Sequence, residues 1–155
     1  MHDPGHLLFR KALRVAIVMP LAYLFAMYVL HIPDGVVFTV FGTFALLAFS
    51  DFGGPLKDRA KAYVITGCAG MVAIALGTVA ALNPWVAVAG TFVVGGALTF
   101  AGVLRGYVTA ATMSVLLPFV IAVTAGPSLD QLPQRLLGFA VATLFALAAA
   151  LLMWP

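Results

Sequence analysis

Glutamate is absent from this 155-residue chain, and its five acids are all aspartate. Lys, Arg, Asp and Glu together make up only 8% of the residues, against about a quarter in soluble domains. So few charges cannot cover a globular surface in water, and a soluble domain is excluded. The one cysteine, Cys68, has no partner for an intrachain disulfide and says nothing about redox compartment. Of the three histidines, His2 and His6 form an i,i+4 pair on a polar tail without a third ligand. Ser114 and Ser128 have no histidine positioned for a hydrolase, and Gly53-Gly54-Pro55 lacks the Lys-Ser/Thr ending of a phosphate loop. No metal, cofactor or catalytic set is therefore expected, and the chain does not read as an enzyme. The alternating ten-residue segments of an outer-membrane barrel are missing too.

Hydrophobic residues make up 64% of the chain, and the mean hydropathy is +1.14. In hydrocarbon the backbone must satisfy its own polar groups, which leaves helices once barrels are excluded. The expectation is an all-α polytopic membrane protein. A net charge of +3 is compatible with nucleic acid, but the cations flank the apolar runs, so topology explains them and no nucleic-acid partner is expected. No small-residue cleavage pattern follows the first apolar run, which reads as a retained helix.

Charges and helix breakers divide the chain into six transmembrane helices at residues 15–30, 36–50, 62–82, 85–104, 107–125 and 135–154, after an N-terminal cytoplasmic segment, residues 1–14. The breaks are His31-Ile32-Pro33-Asp34-Gly35, a charged connector at Lys57-Asp58-Arg59-Ala60-Lys61, Asn83-Pro84, Arg105-Gly106 and a polar loop, residues 126–134. Arg10, Lys11, Arg14, Lys57, Arg59, Lys61 and Arg105 fall on one side of this plan and Arg135 alone on the other. Positive-inside bias then places both termini in the cytoplasm of a cell whose inner membrane the chain spans. Tyr63, Tyr107 and Trp154 fall at the cytoplasmic interface and Trp85 at the outer one.

Small residues recur every fourth position at Ala69, Ala73, Gly77 and Ala81, at Ala87, Thr91, Gly95 and Thr99, and at Gly138, Ala142, Ala146 and Ala150. Such ladders let helices approach closely. Pro20 and Pro118 each remove a hydrogen bond in mid-helix. The short second span runs into Ser50-Asp51-Phe52-Gly53-Gly54-Pro55, and a short glycine-interrupted span points to a transporter site; an ordinary glycine cap is the plainer account. Thr39 and Thr43 line one face of that span, either facing a path or bonding the carbonyl one turn back. Phe38, Phe41, Phe44, Phe49 and Phe52 crowd the same helix, facing lipid or an aromatic ligand. Asp51 and Arg59 are candidates to pair at the connector, Arg105 to attract anions at the cytoplasmic edge, and Arg135 to pair with Asp130 or to serve the outer end of an anion path.

At these residues the chain resembles the fusaric-acid-resistance and aromatic-acid-exporter superfamily. The residues that carry the likeness are Gly42-Thr43-Phe44-Ala45-Leu46-Leu47, Asp51-Phe52-Gly53-Gly54-Pro55 with Arg59, Leu76-Gly77-Thr78, Phe100-Ala101-Gly102-Val103-Leu104-Arg105-Gly106-Tyr107 and Trp154-Pro155. The resemblance implies a six-helix membrane domain, commonly dimeric, often followed by a cytoplasmic helical domain, and implicated in efflux of aromatic carboxylates. The sequence stops at Pro155, where that domain would begin. The resulting expectation is an efflux-type transporter for organic, chiefly aromatic, carboxylates. Its substrate path would use Thr39, Thr43, Asp51, Gly53, Gly54, Arg59 and Arg105. Its partners would be membrane lipid, a small organic anion, a second copy of the chain and a periplasmic membrane-fusion-type protein. A passive anion channel of similar fold and a non-transporting assembly subunit are the alternatives.

Overall fold

Pro4, Pro33 and Pro84 each open a helix, a position where the missing N–H and fixed φ of proline suit the first turn. The computed structural model describes residues 4–50, 52, 55–103 and 107–153, and among these it contains helices and no strand. Helix α1 spans Pro4–Leu24 and continues as a π-helical turn, Phe25–Val29; a 3-10 turn, Pro33–Gly35, leads into α2, Val36–Ala48. Then come α3, Leu56–Ala80; α4, Pro84–Ala101; α5, Tyr107–Thr124; a 3-10 turn at Leu129–Gln131; and α6, Leu132–Leu152. Asn83 caps α4, its Oδ1 accepting the Trp85 N–H at 2.9 Å.

Two helix starts differ most from those the sequence predicts. Helix α1 already includes Arg10, Lys11 and Arg14, expected in an N-terminal segment, and α3 takes in Lys57–Lys61, expected in a connector. Charge bars a residue from hydrocarbon but not from a helix, since Lys and Arg are good helix formers. The helices therefore run on past the apolar segments that announce them.

Four stretches are long and apolar enough to cross a membrane: Phe9–Val29, Leu56–Ala80, Pro84–Ala101 and Leu129–Leu152. Pro33–Ala48 and Val108–Thr124 are apolar but shorter. Helix α2, at 13 residues, is only about 20 Å long. Much of the outer surface is apolar; Phe92, Trp85, Phe100 and Leu144 are all more than half exposed. Contiguous exposure of this kind marks contact with lipid or protein rather than water.

The centre is built from α2, α3, α5 and α6. Helix α6 lies between α2 and α3: the Phe139 ring fills the space left by Gly42 on one and Gly70 on the other, and Thr143 packs on Gly67. Gly138 meets the Gly35 backbone, so α2 and α6 touch main chain to main chain. On the other side of α3, Gly77 sits 2.7 Å, measured from where a Cβ would stand, from the Phe119 carbonyl of α5. The α6 ladder Gly138, Ala142, Ala146 and Ala150 is wholly buried. The α3 ladder is only partly so, since the buried face of that helix runs through Gly67, Gly70, Ala73, Ile74, Gly77 and Thr78. Helix α4 is peripheral, touching α5 and α3 with none of its residues buried.

The α1 terminus carries the one non-glycine residue at positive φ among the described residues, His31 at φ 53°, beside an Ile32 N–H that donates to the Ala26 carbonyl at 3.2 Å. Left-handed geometry strains an L-residue with a Cβ, and glycine relieves that strain. His31→Gly trades roughly 1–2 kcal/mol of relieved strain against about 0.5–1 kcal/mol of added unfolded-chain entropy, and is expected to raise the thermal midpoint of the purified protein slightly.

Candidate functional site

A polar seam closes the bundle at the end where α2 stops and α3 begins. Ser114 of α5, fully buried, donates to the Ala45 carbonyl at 2.9 Å. Its single proton is thereby used, so in the 2.7 Å contact with Ser50 it is Ser50 that donates. Tyr63 of α3 donates to the Ser50 carbonyl at 3.1 Å, and its ring meets Phe52 edge-on with centroids 5.0 Å apart. Arg59 Nη2 donates to the Ala150 carbonyl at 2.9 Å, satisfying a carbonyl in the last turn of α6. Its Nε is buried without a hydrogen-bond partner among the described residues. These contacts tie α2, α3, α5 and α6 together at one level.

Beside this seam, between α3 and α5, lies a half-open cavity of about 320 Å³. Phe52, Ile65, Val108 and Ala111 form apolar walls, Asp58 and Lys61 stand at the mouth, and Thr66 lies inside. Two features of the sequence create it. The small residues Ala62 and Ala111 keep side-chain bulk away from the facing helices, and the charged first turns of α3 reach past the apolar core. The volume falls at the small end of ligand sites, which run from about 300 to 1,000 Å³.

The opposite end is organised by Arg135, which is 1% exposed. Nη1 donates to Thr78 Oγ1 at 3.2 Å and to the Gly126 carbonyl at 3.3 Å; Nη2 donates to the same carbonyl at 3.3 Å and to Gln131 Oε1 at 3.1 Å. The guanidinium lies 5.7 Å from the Phe38 ring centroid. Gly126, at φ 88°, turns its carbonyl into this fork from a conformation that favours glycine. Arg135 thus joins α2, α3, α5 and α6 through neutral groups. It does not pair with Asp130, which is exposed; the carboxylate that acts on its charge is Asp34.

The residues expected to line a path are distributed differently. Thr39 and Thr43 are fully buried and do not line the α3–α5 cavity. The Thr39 hydroxyl reaches the Gly35 carbonyl at 3.1 Å and the Gly138 carbonyl at 2.9 Å, and Thr43 donates to the Thr39 carbonyl at 2.7 Å. Arg59 holds the end of α6 as described. Asp51, Gly53, Gly54 and Arg105 lie outside the described residues, as does Trp154. Tyr63, expected in the aromatic belt, is 2% exposed and donates its hydroxyl to the Ser50 carbonyl, whereas Trp85 is 83% exposed. Phe38 and Phe52 belong to the core, while Phe41, Phe44 and Phe49 face outward. Reasoning from sequence misses Lys61, Thr66 and the Ser50–Ser114 pair. The i,i+3 and i,i+4 spacing of Asp58, Lys61, Ala62 and Ile65 was the available signal for a common face. No family model, curated protein or solved structure matches this chain.

Proposed function

We propose that this chain is the membrane-spanning part of a transporter that moves organic, chiefly aromatic, carboxylates out of the cell. All six helices cross the inner membrane in this reading, with both termini cytoplasmic, and the short α2 and α5 are screened from lipid along much of their length by their neighbours. The observation that carries the proposal is the apolar, half-open cavity at the end rich in cations, with Lys61 at its mouth. An apolar recess beside positive charge suits a small anion with a hydrophobic body. The resemblance to the aromatic-acid-exporter superfamily at residues 42–55 and 100–107 supports the same reading. Homo-oligomerisation belongs to it as well, because α4 leaves an apolar face uncovered.

Proteoliposomes containing the purified chain and loaded with radiolabelled benzoate are expected to release it several times faster than protein-free vesicles. Arg105→Ala and Asp51→Asn should each slow that release. Release at the rate of protein-free vesicles would remove the proposal.

A further inference from the structure

We infer that the α3–α5 cavity is a binding site for a compact, single-headed organic anion, with Lys61 supplying charge at the mouth and Thr66 a directional hydrogen bond inside. The class of ligand rests on the transport reading; the site itself rests on Thr66 and the walls around it. Thr66 is only 3% exposed, lines the cavity, and has no hydrogen-bond partner among the described residues. Other threonines along the helices behave differently: Thr43, Thr91, Thr112, Thr124 and Thr143 each return their hydroxyl to the carbonyl four residues back. The Thr66 oxygen is not sealed off in the way that Arg14 Nε and Arg59 Nε are; opening on the recess without a protein partner, it is free to bond a ligand atom or water there.

The choice of ligand follows from charge and size. Lys57, Arg59 and Lys61 outnumber Asp58 in the opening turns of α3, so the field at the mouth is positive. Asp58, on the same rim, opposes a second negative charge and favours monoanions over dianions. Phe52, Ile65, Val108 and Ala111 present no polar side-chain atom, so the body of the ligand must be apolar. A cavity of about 320 Å³ suits a body of one or two rings.

The test is equilibrium dialysis of the full chain in neutral-lipid nanodiscs against labelled 2-naphthoate, with empty nanodiscs subtracted. Saturable one-site binding is expected. Thr66→Val, which keeps the shape of the side chain, should weaken it about tenfold, and the exposed Lys61→Gln roughly three- to tenfold. Ala111→Leu should fill the recess and abolish binding, and uncharged 2-naphthamide should fail to compete. Unchanged affinity in both Thr66→Val and Ala111→Leu would overturn the assignment. So would equal competition by the amide, or displacement by palmitate at a tenth of the naphthoate concentration, which would make the occupant a membrane lipid. Binding is read without a gradient, so a chain that binds but does not transport defeats the transport reading and leaves this site standing.

Discussion

Gly138→Ala is expected to destabilise the bundle by about 3 kcal/mol or more, lowering the thermal midpoint of the purified protein by roughly 6–12 °C. A Cβ at this position would meet the Gly35 carbonyl, and the reverse substitution at Gly35 would meet the Gln134 carbonyl. Neither obstacle is the end of a flexible side chain. Relief requires α2 and α6 to separate, and separation also removes the Thr39 bond to the Gly138 carbonyl at 2.9 Å and lifts the Phe139 ring from Gly42. In a membrane, packing and interhelical hydrogen bonds are what hold helices together, so one lost contact surface is not offset by water exclusion. Gly96 on α4 is the internal control. Nothing lies within 4 Å of where a Cβ on Gly96 would stand, and Gly96→Ala should leave the midpoint unchanged or raise it slightly through helix propensity. Melting of the two variants side by side separates a packing effect from a general intolerance of alanine.

Arg135 gives the second large effect. Arg135→Met keeps an apolar stem but leaves the Gly126 carbonyl, Gln131 Oε1 and Thr78 Oγ1 without their shared donor. At about 1–3 kcal/mol for each buried group left unsatisfied, the total is expected to reach about 3–5 kcal/mol, since Gln131 is less buried and recovers water. Arg135→Lys should recover less than half of this. A single ammonium cannot reproduce a planar fork that meets three acceptors on three segments. Thermal unfolding monitored by near-UV circular dichroism checks both variants. A lysine variant as stable as the parent would show that charge alone, rather than the geometry of the fork, holds this end together.

The helical character of the chain was legible because it rests on quantities a sequence displays directly: low charge, long apolar runs, and breakers such as Asn83-Pro84. The α6 ladder was legible for the same reason, since Gly138, Ala142, Ala146 and Ala150 fall on one face by spacing alone. What periodicity does not display is which of two faces is inward when both are apolar. Tyr63 looks like an interfacial anchor and is a core residue, and Phe38 and Phe52 separate from Phe41, Phe44 and Phe49 only once Arg135 of α6 and Tyr63 of α3 are in place beside them. The same limit applies to the site. Thr39 and Thr43 advertise a polar face, but the polarity is spent on Gly35, Gly138 and Thr39 carbonyls. Thr66 and Lys61 advertise nothing, because their role depends on the gap left opposite them by Ala111 of a helix more than forty residues away. Arg135 departed from the charge bias of its side, and that departure was a sound signal. Its meaning, a fork across four helices, needed the Gly126 turn to be seen.

Membrane crossing is the claim on which transport depends, and thiol accessibility tests it most directly. With Cys68 replaced by alanine, single cysteines at Asp34, Asn83, Asp130 and Lys57, all exposed positions at helix ends, are challenged in intact cells with a membrane-impermeant maleimide. The account predicts labelling at positions 34, 83 and 130 without permeabilisation, and at position 57 only after it. Labelling of positions 34 and 57 from the same side would mean that α2 does not cross the bilayer, and would contradict the account.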